Sequence, residues 1–177
     1  MKYIQLFIIS IFFWFPITSH AFPIPDDNEV SFDVVRKNKI IGNLTSKFIK
    51  DKENIVLHSV LDINVKILFI PAYKFFQETK ETWSNGEFIS IDGFTDFEDD
   101  REYKIDGKDE DGFFRVTGMD GFLELDEKII PLNYWNKNIL KEKELFDTQK
   151  GIVRKITVKK LKNEEIKIIN SKLISEK

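Results

Sequence analysis

The sequence predicts a mainly β protein: a strongly curved antiparallel sheet, either a half-barrel or an open barrel, with one short helical segment. Three observations lead there. Residues Ile55 to Phe69 alternate apolar and polar side chains over an unusual length. Turn-forming pairs recur at short intervals, at Asn85-Gly86, Asp92-Gly93, Asp106-Gly107, Asp111-Gly112 and Asp120-Gly121. Only Pro131 to Phe146 departs from the strand rhythm, with three- and four-residue apolar spacings at Ile139, Leu140, Leu145 and Phe146. Strands repeat side chains every two residues and helices every 3.6, so the two periods separate the elements.

Taken in order, Glu29 to Val35 places Val30, Phe32 and Val34 on one side, Lys37-Asn38-Lys39 supplies a turn, and Ile40 to Ile49 resumes as the second arm of a hairpin. Asp51 to Asn54 turns again. From Ile55, the residues Leu57, Leu61, Ile63, Val65, Ile67 and Phe69 then share one face, interrupted by Ser59. His58, Asp62, Asn64 and Lys66 share the other. Fully extended, this run reaches about 50 Å at roughly 3.3 Å per residue, so it is expected to bend, or to be broken, to stay within one domain. Further strands are expected at Tyr73–Trp83, Glu87–Ile91, Tyr103–Ile105, Phe113–Thr117, Phe122–Leu125 and Ile152–Leu161. The separating Asn-Gly and Asp-Gly pairs tolerate the positive φ of tight hairpins.

Composition narrows the function classes. The chain has 177 residues, 27 Lys+Arg against 30 Asp+Glu and a formal charge of −3, so there is no basic excess to serve nucleic-acid phosphates. It has no cysteine, which excludes disulfides, thiolate catalysis and Cys-based zinc sites. Residues 1–21 have the three-part layout of a signal peptide: Lys2, an apolar run from Tyr3 to Phe15, and Ser19-His20-Ala21 with small residues at −3 and −1. Cleavage near Ala21 implies a periplasmic or secreted protein. Residues 22–170 are expected to form a single β-rich domain with no transmembrane segment, and 171–177 a frayed tail.

Val65-Lys66-Ile67-Leu68-Phe69, then Tyr73 and Glu81-Thr82-Trp83, resembles a family of uncharacterised exported bacterial proteins. Tyr134-Trp135-Asn136 with Leu140, Leu145 and Thr148-Gln149-Lys150-Gly151 carries the same resemblance, as does Phe32-Asp33-Val34 followed by Ile41-Gly42. The resemblance implies a secreted or periplasmic β-rich domain and brings no activity with it.

The candidate site lies on the Tyr73–Trp83 strand. One face presents Tyr73, Phe75, Gln77, Thr79, Glu81 and Trp83, apolar at the ends and polar between. If that face lines a hollow, Glu81 enters a partly apolar cavity with its pKa raised by desolvation. Tyr134 and Trp135 are the aromatic residues expected to complete the wall, because barrel-mouth pockets are built from such side chains. The expected ligand-binding residues are therefore Tyr73, Phe75, Glu81, Trp83, Tyr134 and Trp135, and the expected partner is a lipid or another apolar or amphiphilic ligand. The alternative is an envelope protein-protein interaction or scaffold module working through strand edges or the acids between Asp92 and Asp111. No catalytic residue, cofactor or metal ligand is assigned. The acids fail the calcium-loop test, because Gly107 falls at the first ligand position and Gly118 where the bidentate acid belongs. His58, on the polar strand face, reads as a surface histidine, and without it no Ser-His-Asp arrangement is available to the mature chain.

Overall fold

The computed structural model describes residues 24–177 except 69, 99, 100, 127, 128, 163, 169, 170, 176 and 177. The signal peptide expected at 1–21 lies outside the described residues. Eight strands follow one another in chain order across one antiparallel sheet: β1 (Glu29–Arg36), β2 (Lys39–Asp51), β3 (Asn54–Ile67), β4 (Ile70–Ser84), β5 (Glu87–Phe97), β6 (Arg101–Glu110), β7 (Phe113–Gly118) and β8 (Gly121–Asp126). Tight turns drive this meander. Lys37 and Asn38, Asn85 and Gly86, and Asp111 and Gly112 all have positive φ, as two-residue hairpin loops require. After β8 come a 3₁₀ helix (Lys137–Lys141) and two small hairpins, β9 (Glu144–Asp147) with β10 (Ile152–Lys155) and β11 (Glu164–Ile168) with β12 (Ser171–Ser175).

Two of the expected turns are strand interiors. Asp92-Gly93 lies within β5 and Asp106-Gly107 within β6, so these strands are longer than their apolar segments. Gly107 is there for close packing, a known reason for glycine inside a sheet. A Cβ on Gly107 would stand 2.9 Å from Cζ of Phe114 and 3.0 Å from Cβ of Val116, so the missing side chain makes room for the Phe114 ring.

The C-terminal part differs more. Only five residues of Pro131–Phe146 are helical, because side chains of the segment compete for the backbone: Asn133 Oδ1 accepts from Asn136 N at 3.0 Å and Asn136 Oδ1 from Asn138 N at 3.0 Å. The strand expected over Ile152–Leu161 stops at Lys155, and Ser171–Ser175, expected to fray, pairs with β11.

The sheet is mainly β as expected, but it is neither closed nor strongly curled: β1 and β8 are its two edges. The length of β3 and β4 is accommodated in another way. Their far ends run beyond the covered region, leaving Leu68 86% and Ile70 68% exposed at the hairpin tip, so the long alternating run need not bend. Register shifts at Val65/Lys66 and Thr82/Trp83 absorb the remaining irregularity. The second shift has a packing consequence, because it lets Phe88 and Ile91, three residues apart on β5, both turn inward.

The core lies between one face of this sheet and the segment 129–151. A single row crosses six strands by direct pairing, Phe48, Leu57, Glu81, Ile91, Gly107 and Val116 from β2 to β7. Phe146 of β9 closes over it, with ring centroids 5.7 Å from Phe114 and 6.3 Å from Phe88. Backbone bonds fix the cover, from Phe146 N to Ile130 O at 2.9 Å and from Leu132 N to Phe146 O at 2.7 Å. At its end Met119 N donates to Lys150 O at 2.7 Å, an approach open only because Gly118 and Gly151 meet without side chains.

Gly107→Ala is expected to destabilise the fold by about 1–3 kcal/mol, the range for a methyl forced into a filled core. Urea denaturation reads this as a lower midpoint at unchanged slope.

Candidate functional site

Beside the aromatic core the same sheet face changes character. The row next to the core row pairs Ser46, Ser59, Thr79 and Gly93 across β2–β5, and the row beyond it pairs Leu44, Leu61, Gln77 and Thr95. Small side chains do not fill the gap between sheet and cover at the spacing the core sets. A cavity of about 260 Å³ results, with Ser46, Ser59, Gln77, Thr79 and Glu81 on its sheet side and Asn133, Tyr134, Trp135, Asp147 and Thr148 on its cover side. Val30, Phe32, Leu44 and Leu61 supply the apolar part of the wall. Tyr134, 79% exposed, stands at the rim.

Strand parity fixes the polar floor. In β4, Phe75, Gln77, Thr79, Glu81 and Trp83 all point to the covered side and all are buried. The Ser46 and Ser59 hydroxyls bond each other at 2.8 Å. Gln77 Nε2 donates to the Thr148 carbonyl at 3.1 Å, tying the floor to the cover. On the cover, Asp147 accepts from Arg154 Nε at 2.9 Å and from Gln149 N at 2.9 Å, so its carboxylate is held from behind. Asn133 Nδ2 is buried and has no hydrogen-bond partner among the described residues.

Glu81 is the chemical centre of this arrangement. It is only 2% exposed, sits in the core row between Leu57 and Ile91, and no cation pairs with it among the described residues. Burial pushes its pKa up to about 7, against the smaller opposing effect of the hydrogen bond donated by Trp83 Nε1 at 3.0 Å. Desolvation disfavours the charged form, and a single neutral donor does not restore what water supplied. Trp83 is itself fixed by Trp135 and Phe88, each with ring centroids 5.4 Å away. Phe48 meets Trp135 edge to face at 5.5 Å. The carboxyl therefore points from an aromatic frame into a space half polar and half apolar. Near neutral pH it exists in both protonation states, able to donate a proton in a hydrogen bond or to carry a charge.

Of the six residues expected at the site, Glu81, Tyr134 and Trp135 line the cavity. Trp83 stands behind its wall as partner of Glu81 and Trp135. Phe75 is buried against Phe97, with ring centroids 5.0 Å apart, and Tyr73 lies out toward the exposed hairpin tip. The hollow is also not the concave side of a curled sheet; it lies between an open sheet and a separate covering segment. Ser46, Ser59, Asn133, Asp147 and Thr148 are additional lining residues. The interruption at Ser59 in an otherwise apolar strand face is the sequence signal for the floor. His58 is on the opposite sheet face, 2.7 Å from Glu78 Oε1. Of the acids between Asp92 and Asp111, Asp92 and Asp96 lie on β5 and Glu102, Asp106, Asp109 and Glu110 on β6, with Asp92 and Asp106 exposed.

The fold and this site define a class: an open antiparallel sheet with a covering segment that encloses an acid-bearing cavity. The sequence matches the family described as Domain of unknown function (DUF6134) over residues 32–176, and the chain belongs to that family. No curated protein and no solved structure matches it. No helix among the described residues is long and apolar enough to cross a membrane.

A carboxyl with a folded pKa near 7 and an ordinary value of 4.5 binds its proton more tightly in the folded state, so it favours folding at low pH and that advantage is lost as pH rises through about 7. Glu81→Gln, which keeps an acceptor for Trp83, is expected to raise stability at pH 8 by roughly 3 kcal/mol and to have little effect at pH 4.5. Urea denaturation of both proteins at the two pH values measures the difference.

Proposed function

We propose that the protein is a non-enzymatic binding module for a small amphiphilic ligand, held between the β1–β4 face and the 131–149 segment, and that it acts after export, as the layout of residues 1–21 implies. The observation that carries this reading is the buried Glu81 carboxyl on the wall of a cavity whose remaining surface is divided between hydroxyl and amide groups and apolar side chains. Binding sites combine an apolar lining with a few convergent polar groups in this way. The volume favours a small molecule or a head group, because about 260 Å³ falls below the roughly 300–1,000 Å³ of sites for drug-sized ligands. An orphaned buried polar atom on the wall, Asn133 Nδ2, is a further donor for such a ligand.

A second reading, an interaction module that adds a partner's strand to β1, is favoured by one observation. β1 is an edge strand that exposes Phe32 and Val35.

Native mass spectrometry of the protein purified from its own host is expected to show a bound small organic molecule. Ser59→Leu, which fills the cavity floor, is expected to lose it with the fold retained by circular dichroism. A protein that carries no ligand, and whose tryptophan emission ignores added amphiphiles, overturns the reading. Retention of a partner protein that is lost on substitution of β1 residues favours the second.

A further inference from the structure

The charged groups on the cavity wall are unbalanced. Among its described lining residues are two acids, Glu81 and Asp147, and no lysine, arginine or histidine. Asp147 already has a cation, because Arg154 Nε reaches its Oδ2 at 2.9 Å. Glu81 has a neutral donor, Trp83 Nε1, and no cation among the described residues. The described residues around it supply no alternative: Leu57 and Ile91 flank it across the strands, and among the described residues of the cover only Tyr134 and Asp147 bring titratable groups to the cavity.

The aromatic frame adds to the same preference. Trp135 lines the cavity at the end where it meets Trp83 and Phe48, and Tyr134 stands at the rim. Indole and phenol rings attract cations through their quadrupoles, most strongly when the cation is desolvated. A carboxylate beside such rings in a water-poor space is a recurring means of recognising ammonium groups, and the same field repels a carboxylate or phosphate. Anionic ligands would meet two acids and no base.

We propose that the cavity of this chain takes a small organic cation, a protonated amine whose ammonium group faces Glu81 and whose apolar part lies against Trp135, Leu44 and Leu61. The inference rests on the ligand-binding reading above and names its ligand class. The amine supplies the counter-charge that Glu81 lacks, so the carboxyl is ionised in the complex and its proton leaves to solvent on binding. No bond is made or broken beyond that proton.

The linkage gives the test a sign. Burial holds the free carboxyl near pKa 7, so its ionised fraction, and with it affinity for a cation, rises roughly tenfold between pH 6 and pH 8. A ligand that needed Glu81 as a proton donor would show the reverse trend. The experiment is calorimetric titration of the purified protein with benzylamine, benzyl alcohol and benzoate. At pH 8 benzylamine, protonated throughout this range, is expected to bind at least about tenfold more tightly than benzyl alcohol, with benzoate weakest, and at pH 6 its binding is expected to release protons to the buffer. Glu81→Gln is expected to bring amine and alcohol to similar affinity and to abolish the pH dependence. Equal or tighter binding of benzyl alcohol or benzoate, or an amine affinity that is flat or falls with pH, overturns the cation assignment and leaves ligand binding standing. Binding of none of the three overturns both.

Discussion

The docking of residues 129–151 onto the sheet is the interaction on which the rest depends. An open antiparallel meander has two faces and no inside until something covers one of them. Here Phe146 packs against the Phe88–Phe114 pair, and its backbone is held by Ile130 and Leu132. Each buried aromatic ring of this kind removes roughly 150–250 Å² from water, so a short covering segment suffices to fix the layer. The separation set by those rings is then imposed on the neighbouring rows, where Ser46, Ser59, Thr79 and Gly93 are too small to span it. Core and cavity are two outcomes of one spacing.

Glu81 connects them. It occupies a core position by strand parity and a wall position by proximity to the small-residue row, so a single residue has its charge suppressed by the first and lines the cavity through the second. Trp83, two residues along the same strand face, both donates to the carboxyl and carries the contact to Trp135 on the cover. A charged group placed this way opposes folding, and groups perturbed in this manner cluster at functional sites. That physical tension distinguishes Glu81 from the surface acids of β5 and β6.

Much of this was legible in the sequence, and the reasons are local. The period of two from Tyr73 to Trp83 is enough to put Glu81 on the same face as Phe75 and Trp83, and the break at Ser59 marks the polar floor one strand away. The Asn85-Gly86 and Asp111-Gly112 turns follow from backbone preference alone. What was not legible depends on partners distant in the chain. Gly107 resembles a turn residue until the ring of Phe114 is seen where a side chain would be. Asp147 and Thr148 reach the cavity because β9 folds back onto strands formed some seventy residues earlier, as the Gln77–Thr148 bond shows with its separation of 71. The expectation of a curled sheet rested on holding the long run of 55–69 within one domain, whereas the hairpin end extends past the cover and leaves Leu68 and Ile70 exposed.

That separation also orders the assembly of the molecule. Every ladder of the large sheet joins a strand to its immediate successor, so the loops to be closed are short and the hairpins can zip one after another as the chain emerges. The cover can only be laid down once β8 and the connection beyond it exist. The cavity therefore comes into being only after the whole meander has been made, and until then the aromatic face that its cover seals stands open to other chains.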